Sequence, residues 1–301
     1  MKAALIIVVV LLVVSVAGVV AIELVLTSHL DQSRPAVVVL AAWDIKPALQ
    51  EIAARYEAQT GRRIDLRFGS SREILARLKL DGTGDVFICS SEPERKRAVD
   101  EGLVAKWPTG AIAYLVPAII TRFDCPVEVT GLDSLVAEEL SLVIADPEQE
   151  AMGRFAADVL ERAGLGEDAR TLVAMMPADA PKVVEMVSLG KADAAIAWGA
   201  MQQWDPEFLR VVKVGQSVTG VAAVKAAPTT RARDAAAADE FIAFLRAPEA
   251  QTVLRTWQCA VTPDEAVKAA PRVRKAELGR EPDVPERWRR QTEDTGTGET
   301  P

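Results

Sequence analysis

Ser70 and Ser71 stand side by side at the start of a predicted helix, and Trp43 and Asp44 follow directly on an apolar run at residues 36–42. Hydroxyl and indole groups at such points donate hydrogen bonds and a carboxylate accepts them, which is the chemistry of holding a solute rather than transforming one. Ser70 and Glu73 match the S-x-x-E capping box, in which each side chain satisfies the other's backbone N–H, so Ser70 also has a purely structural use. Ser71 then falls on the first helical position, where its hydroxyl and N–H are free for a solute and the helix dipole favours an anion. Asp44 reads either as a helix N-cap ahead of Pro47 or as a ligand contact. Farther along, the turn "IADPEQEAMGRF" exposes the backbone N–H groups around Met152 and Gly153, with Glu148 and Glu150 expected in solvent. Trp198 closes the run "ADAAIAW" either as core packing or as the wall of a cleft.

Nucleophilic catalysis has little to work with. The only histidine is His29, inside a polar stretch near the N-terminus, so no Ser-His or Cys-His pair can be assembled in the folded part. Dinucleotide and phosphate-loop glycine patterns are absent, and "GQSVTG" has the wrong spacing for a nucleophile elbow. Cys89, Cys125 and Cys259 form no C-x-x-C pair, which leaves no zinc or redox motif. With 43 acidic against 35 basic residues and a net charge of -8, the chain lacks the basic face a nucleic-acid binder requires. The expectation is a binding protein without catalysis or cofactor.

Alternating strands and helices must position these groups. "AVVVLAA" is a continuous apolar run suited to a strand covered on both faces. Leu49, Ile52, Ala53 and Tyr56 follow at helical spacing up to Gly61, and then come a strand "RIDLRF", a helix "SSREILARLKL" and a strand "DVFICS". The alternation resumes with "LSLVIA", helices at 152–163 and 182–189, and "ADAAIAW". An α/β architecture with parallel-dominated sheets and flanking helices follows, and its length suits two lobes. We expect lobe 1 to comprise 35–116 with 218–266, and lobe 2 to comprise 117–217. Residues 267–301 are charged and poor in apolar side chains, and read as a disordered tail in which Trp288 is a docking point. Residues 1–34 hold an apolar run of about 20 residues followed by a linker, read as a transmembrane anchor or a cleaved signal. Lys2 before the run and Glu23 after it place the remainder outside the cytoplasm.

Several of these segments, in this order, resemble the periplasmic molybdate-binding proteins of ABC transporters. "VVVLAAWDIKPALQEIAARYEAQTG" looks like that family's opening strand and helix, "FGSSREILARL" like its F-[AG]-S-S segment, and "GDVFICSSEPERKRAVDEGLV" like its A-D-[LV]-F-I-S-A segment. "IADPEQEAMGRFAADVLERAGL" is similar to its D-P-x-x-x-P-A-G helix start, and "DEFIAFLRAPEAQTVLRTW" to the closing helix of many solute-binding proteins. The resemblance implies a two-lobed, type II periplasmic-binding fold that closes on a tetrahedral oxyanion and delivers it to a membrane permease. Matched position by position, it implies ligand contacts at Asp44, at Ser71 beside Ser70, at Ser90, at Met152, near Ala180 and at Trp198.

Two of these positions depart from the family in ways that matter physically. The family's serine is replaced by Asp44, and its tyrosine by Trp198. An ionised carboxylate about 4 Å from a dianion costs about 2–8 kcal/mol at effective dielectric constants of about 80 to 20. Molybdate therefore requires Asp44 to turn away or be protonated. A metal cation or an amine-bearing ligand held by Asp44, Ser71, Cys89 and Glu73 or Glu92 is one alternative, an organic solute flanked by Trp43 and Trp198 is another, and a membrane-tethered sensor or interaction protein that no longer serves transport is a third.

Overall fold

The structure, a computed structural model, describes residues 35–289. The predicted N-terminal anchor lies outside them, and among the described residues no helix is long and apolar enough to cross a membrane.

The chain opens with β1 (Val37–Ala42), a 3-10 turn Trp43–Ile45, α1 (Lys46–Thr60), β2 (Ile64–Gly69), α2 (Ser71–Asp81), β3 (Val86–Cys89), α3 (Glu92–Asp100) and β4 (Ala113–Leu115). It then crosses through Val116 into β5 (Pro117–Arg122), α4 (Leu132–Ala137), β6 (Leu142–Val143), α5 (Ala151–Arg162), α6 (Gly166–Leu172), β7 (Val173–Met175), α7 (Ala180–Ser188) and β8 (Ala194–Trp198). A 3-10 turn Gly199–Trp204 and β9 (Leu209–Val212) follow. The chain returns as β10 (Ala222–Pro228) and ends in α8 (Ala235–Leu245), α9 (Pro248–Thr256) and α10 (Pro263–Ala269).

Two five-stranded sheets result, in the orders β2-β1-β3-β10-β4 and β7-β6-β8-β5-β9. They share one plan: in each, three strands pair in parallel and the remaining two add antiparallel. The parallel-dominated expectation thus holds for β2-β1-β3 and β7-β6-β8 only. The returning strand β10 and the crossover strand β5 run against their neighbours because each enters its sheet from the other lobe. All six residues of β1 are buried, as its unbroken apolar run requires. One apolar cluster joins the lobes, with Ile45, Ala48 and Ile88 from the first and Met152, Ala180 and Trp198 from the second. The lobes are packed shut.

The segment after α10 differs from the expected disordered tail. Val273 and Trp288 are fully buried in the core of the second lobe, and the Trp288 indole N–H donates to Glu161 at 2.8 Å. Gly279 donates its N–H to the Val221 carbonyl with φ +82, and a Cβ there would lie 2.6 Å from that of Ala223, so only glycine fits. Glu281 then bonds both lobes. It exchanges backbone-to-carboxylate hydrogen bonds with Glu92 at the start of α3, at 2.7 and 2.8 Å, and it forms an ion pair with Arg154 of α5. Its apolar anchors are too sparse to register as a core pattern, yet each one finds a prepared socket. Replacing Trp288 with alanine is expected to lower the unfolding free energy by about 3–5 kcal/mol, as for other buried tryptophans. Urea denaturation measures it, and a loss under about 1 kcal/mol would contradict the strap's packing.

Candidate ligand-binding site

The carboxyl ends of β1, β2, β3 and β8 converge where the lobes meet, and helices begin there, which is where open α/β sheets place ligands. Asp44 lies in the tight turn after β1, between that strand and α1. The residue that caps α1 is Ile45, without a side-chain bond, so Asp44 is not an N-cap. Its carboxylate instead turns inward and is 5% exposed. The Ser90 hydroxyl, just after β3, donates to Oδ2 at 2.5 Å. The Trp198 indole N–H, at the end of β8, donates to Oδ1 at 2.6 Å. Ser71, the first residue of α2, places its hydroxyl 3.5 Å from that of Ser90 and completes a chain of donors. Among the described residues no Lys or Arg bonds either Asp44 oxygen. Burial pushes the Asp44 carboxyl above the usual range, while the bonds from Ser90 and Trp198 pull it back.

Ser70 serves the cap. Its oxygen accepts from the Glu73 N–H at 3.1 Å and its own N–H donates to the Glu73 carboxylate at 2.8 Å, the reciprocal box read from the sequence. Trp43 stacks on Phe68 at 5.8 Å between ring centres, under the Lys46 ammonium. Met152 lies in the first turn of α5 and Ala180 opens α7, both fully buried at the lobe contact. The glycine beside Met152 is required by close approach, since a Cβ on Gly153 would come within 2.2 Å of the Ala145 carbonyl oxygen.

Glu150 corrects the expectation of a solvated side chain. It is 5% exposed, and its Oε1 has no hydrogen-bond partner. Burial drives its carboxyl well above the ordinary range, and the Asp44 charge adds to the effect; Arg154 opposes it. Sequence alone offered no signal for this, because "DPEQEA" is polar throughout and only the packing of α5 against the other lobe encloses its last glutamate.

The thiols of Cys89 and Cys259 are pushed up to about 12, chiefly by burial, and all three cysteines are unpaired. Burial thus keeps both thiols protonated, and so weak nucleophiles, at neutral pH. Among the described residues no group of three or more His, Cys, Asp or Glu is placed to hold a metal ion. The void beside Asp44 is only about 10 Å³, room for about one water. A cavity of about 620 Å³ near the crossover, lined by Tyr114, Pro117, Lys213, Arg255 and Gln258 among others, includes none of Asp44, Ser71, Ser90 or Trp198.

The model of a family described as bacterial extracellular solute-binding protein matches residues 37–257, which contain both sheets and every residue of this cluster. The chain belongs to that family. The molybdate-binding protein ModA of Rhodobacter capsulatus is 26% identical over 251 residues, covering 80% of this chain and 94% of that one. A Haemophilus influenzae relative, named only as a binding protein, is 27% identical over 155 residues, which are 50% of this chain and 61% of that one. Among solved structures, the sulfate-binding protein SubI of Mycobacterium tuberculosis aligns with a TM-score of 0.67 at 18% identity, covering 79% of this chain and 91% of that one. The periplasmic molybdate-binding protein of Azotobacter vinelandii aligns at 0.64 and 17%, covering 75% and 99%. At such identities these alignments establish the two-sheet fold and nothing finer.

In this solute-binding protein the closed contact thus buries two acids, Asp44 bonded and Glu150 not. A carboxyl whose folded-state pKa is raised contributes stability that is complete below its unfolded value and is lost as pH rises through the folded one. Unfolding free energy should therefore fall between about pH 5 and about pH 8 by more in the parent chain than in Glu150→Gln. The variant should be the more stable at about pH 8 by on the order of 1 kcal/mol. Denaturation at several pH values checks this, and identical slopes would remove Glu150 as the source.

Proposed function

We propose that this chain is the extracytoplasmic binding component of an ABC importer and captures a small oxyanion between its lobes, without catalysis or cofactor. One observation carries the reading: the Ser90 hydroxyl and the Trp198 indole N–H, from opposite lobes, converge on the two oxygens of a single carboxylate. Donors so disposed hold an anionic O–X–O group by hydrogen bonds alone, and Ser71 and the N-termini of α2, α5 and α7 add to the same field. The likeness to molybdate- and sulfate-binding proteins supports that ligand class. Delivery to a permease, and tethering through residues 1–34, belong to the same proposal.

The unpartnered Glu150 oxygen favours one rival, a solute carrying N–H donors such as a small amine. Calorimetric titration of the full chain with molybdate, tungstate, sulfate and small primary amines, at about pH 6 to about pH 8, separates the two. Binding of at least one oxyanion is expected, weakened about tenfold or more in Ser90→Ala and in Ser71→Ala, the worth of one hydrogen bond to a charged ligand. Binding of amines and of no oxyanion would overturn the reading.

A further inference from the structure

Ser90 has one hydroxyl proton and Trp198 one indole N–H, and both are already committed to Asp44. An incoming oxyanion competes for the same two donors with a carboxylate of the same sign. Among the described residues no Lys or Arg bonds that carboxylate. Facing the site are Glu150 at the N-cap of α5 and Arg154 within it, Glu73 from the first turn of α2, Asp179 capping α7, Arg95 from α3, and the thiols of Cys89 and Cys259 from β3 and the segment before α10. Of the two cations, Arg154 pairs with Glu281 and donates to the Pro147 carbonyl at 2.7 Å, and Arg95 donates to the carbonyls of Ser90 and Ala223 at 2.7 and 2.9 Å, so neither bonds Asp44. Glu150 leaves a buried oxygen without a partner beside this cluster. Two carboxyls closed off from water, with no cation bonding Asp44, form a place where a proton can be held.

Building on the oxyanion reading, we propose that the cleft takes up its oxyanion together with one proton, which is held on the Asp44 and Glu150 pair. The proton comes from solvent, forms one O–H bond and breaks none in the protein. Once neutral, Asp44 is a weaker acceptor, so Ser90 and Trp198 turn to the ligand, and its new O–H becomes a further donor. The repulsion between carboxylate and ligand disappears in the same step. Asp44 therefore makes capture depend on pH instead of abolishing it.

The test is calorimetry of the full chain with molybdate and with sulfate, neither of which changes charge between about pH 6 and about pH 8. Titration in two buffers of different ionisation enthalpy counts protons directly and needs no variant. We expect uptake near one proton per oxyanion, and a Kd that rises by up to about tenfold per pH unit. Asp44→Asn should take up fewer protons, flatten the slope and bind at about pH 8 at least about tenfold more tightly than the parent chain. Glu150→Gln should also lower the uptake. An oxyanion bound by the parent chain with no proton uptake and a flat Kd overturns the proposal while leaving the oxyanion reading intact. If the parent chain and both variants bind neither anion at any of these pH values, the oxyanion reading fails and the proposal falls with it.

Discussion

A single buried carboxylate determines how the two lobes meet. Asp44 is carried by the first lobe, yet one of its two hydrogen bonds comes from Trp198 of the second. An anion withdrawn from water this completely carries a large desolvation penalty, which good hydrogen bonds reduce but do not abolish. The closed contact is thus stabilised by apolar packing around Trp198, Met152 and Ile45 while it is strained electrostatically at its centre. That balance follows from one residue type in the turn after β1.

The rest of the fold can be understood as machinery for bringing strand ends to that point. Parallel pairing of β2, β1 and β3 aligns the ends that carry Ser71, Asp44 and Ser90. The second sheet repeats the plan and presents Trp198 at the end of β8. Only because the antiparallel strands β10 and β5 each return from the opposite lobe do the two sets of ends face one another.

Much of this was legible in the sequence because it is written locally. Continuous apolar runs gave the strands, helical spacing gave the helices, and the Ser70 and Glu73 box was read with its correct partners. Asp44, Ser71 and Trp198 could be named from junction motifs and Ser90 only through the family resemblance, and the structure brings these four together. Their mutual arrangement could not be read, since it depends on contacts between residues as far apart as 44 and 198. Glu150 escaped for the same reason: a glutamate in a polar turn carries no mark of the surface that will cover it. Residues 270–289 were misread because four well-spaced side chains, Val273, Leu278, Val284 and Trp288, suffice to dock a strap that already has a scaffold beneath it, whereas composition registers only density.

That strap fastens close to the cleft. Glu281 grips Glu92, two positions beyond Ser90, and Arg154, four positions beyond Glu150, so its two holds lie close in the chain to residues of the cleft. Parting the lobes must release one hold or the other as well as the bond between Asp44 and Trp198. The C-terminal segment is therefore a clasp across the cleft: through one side chain and one backbone N–H it ties the lobe of Ser90 to the lobe of Glu150.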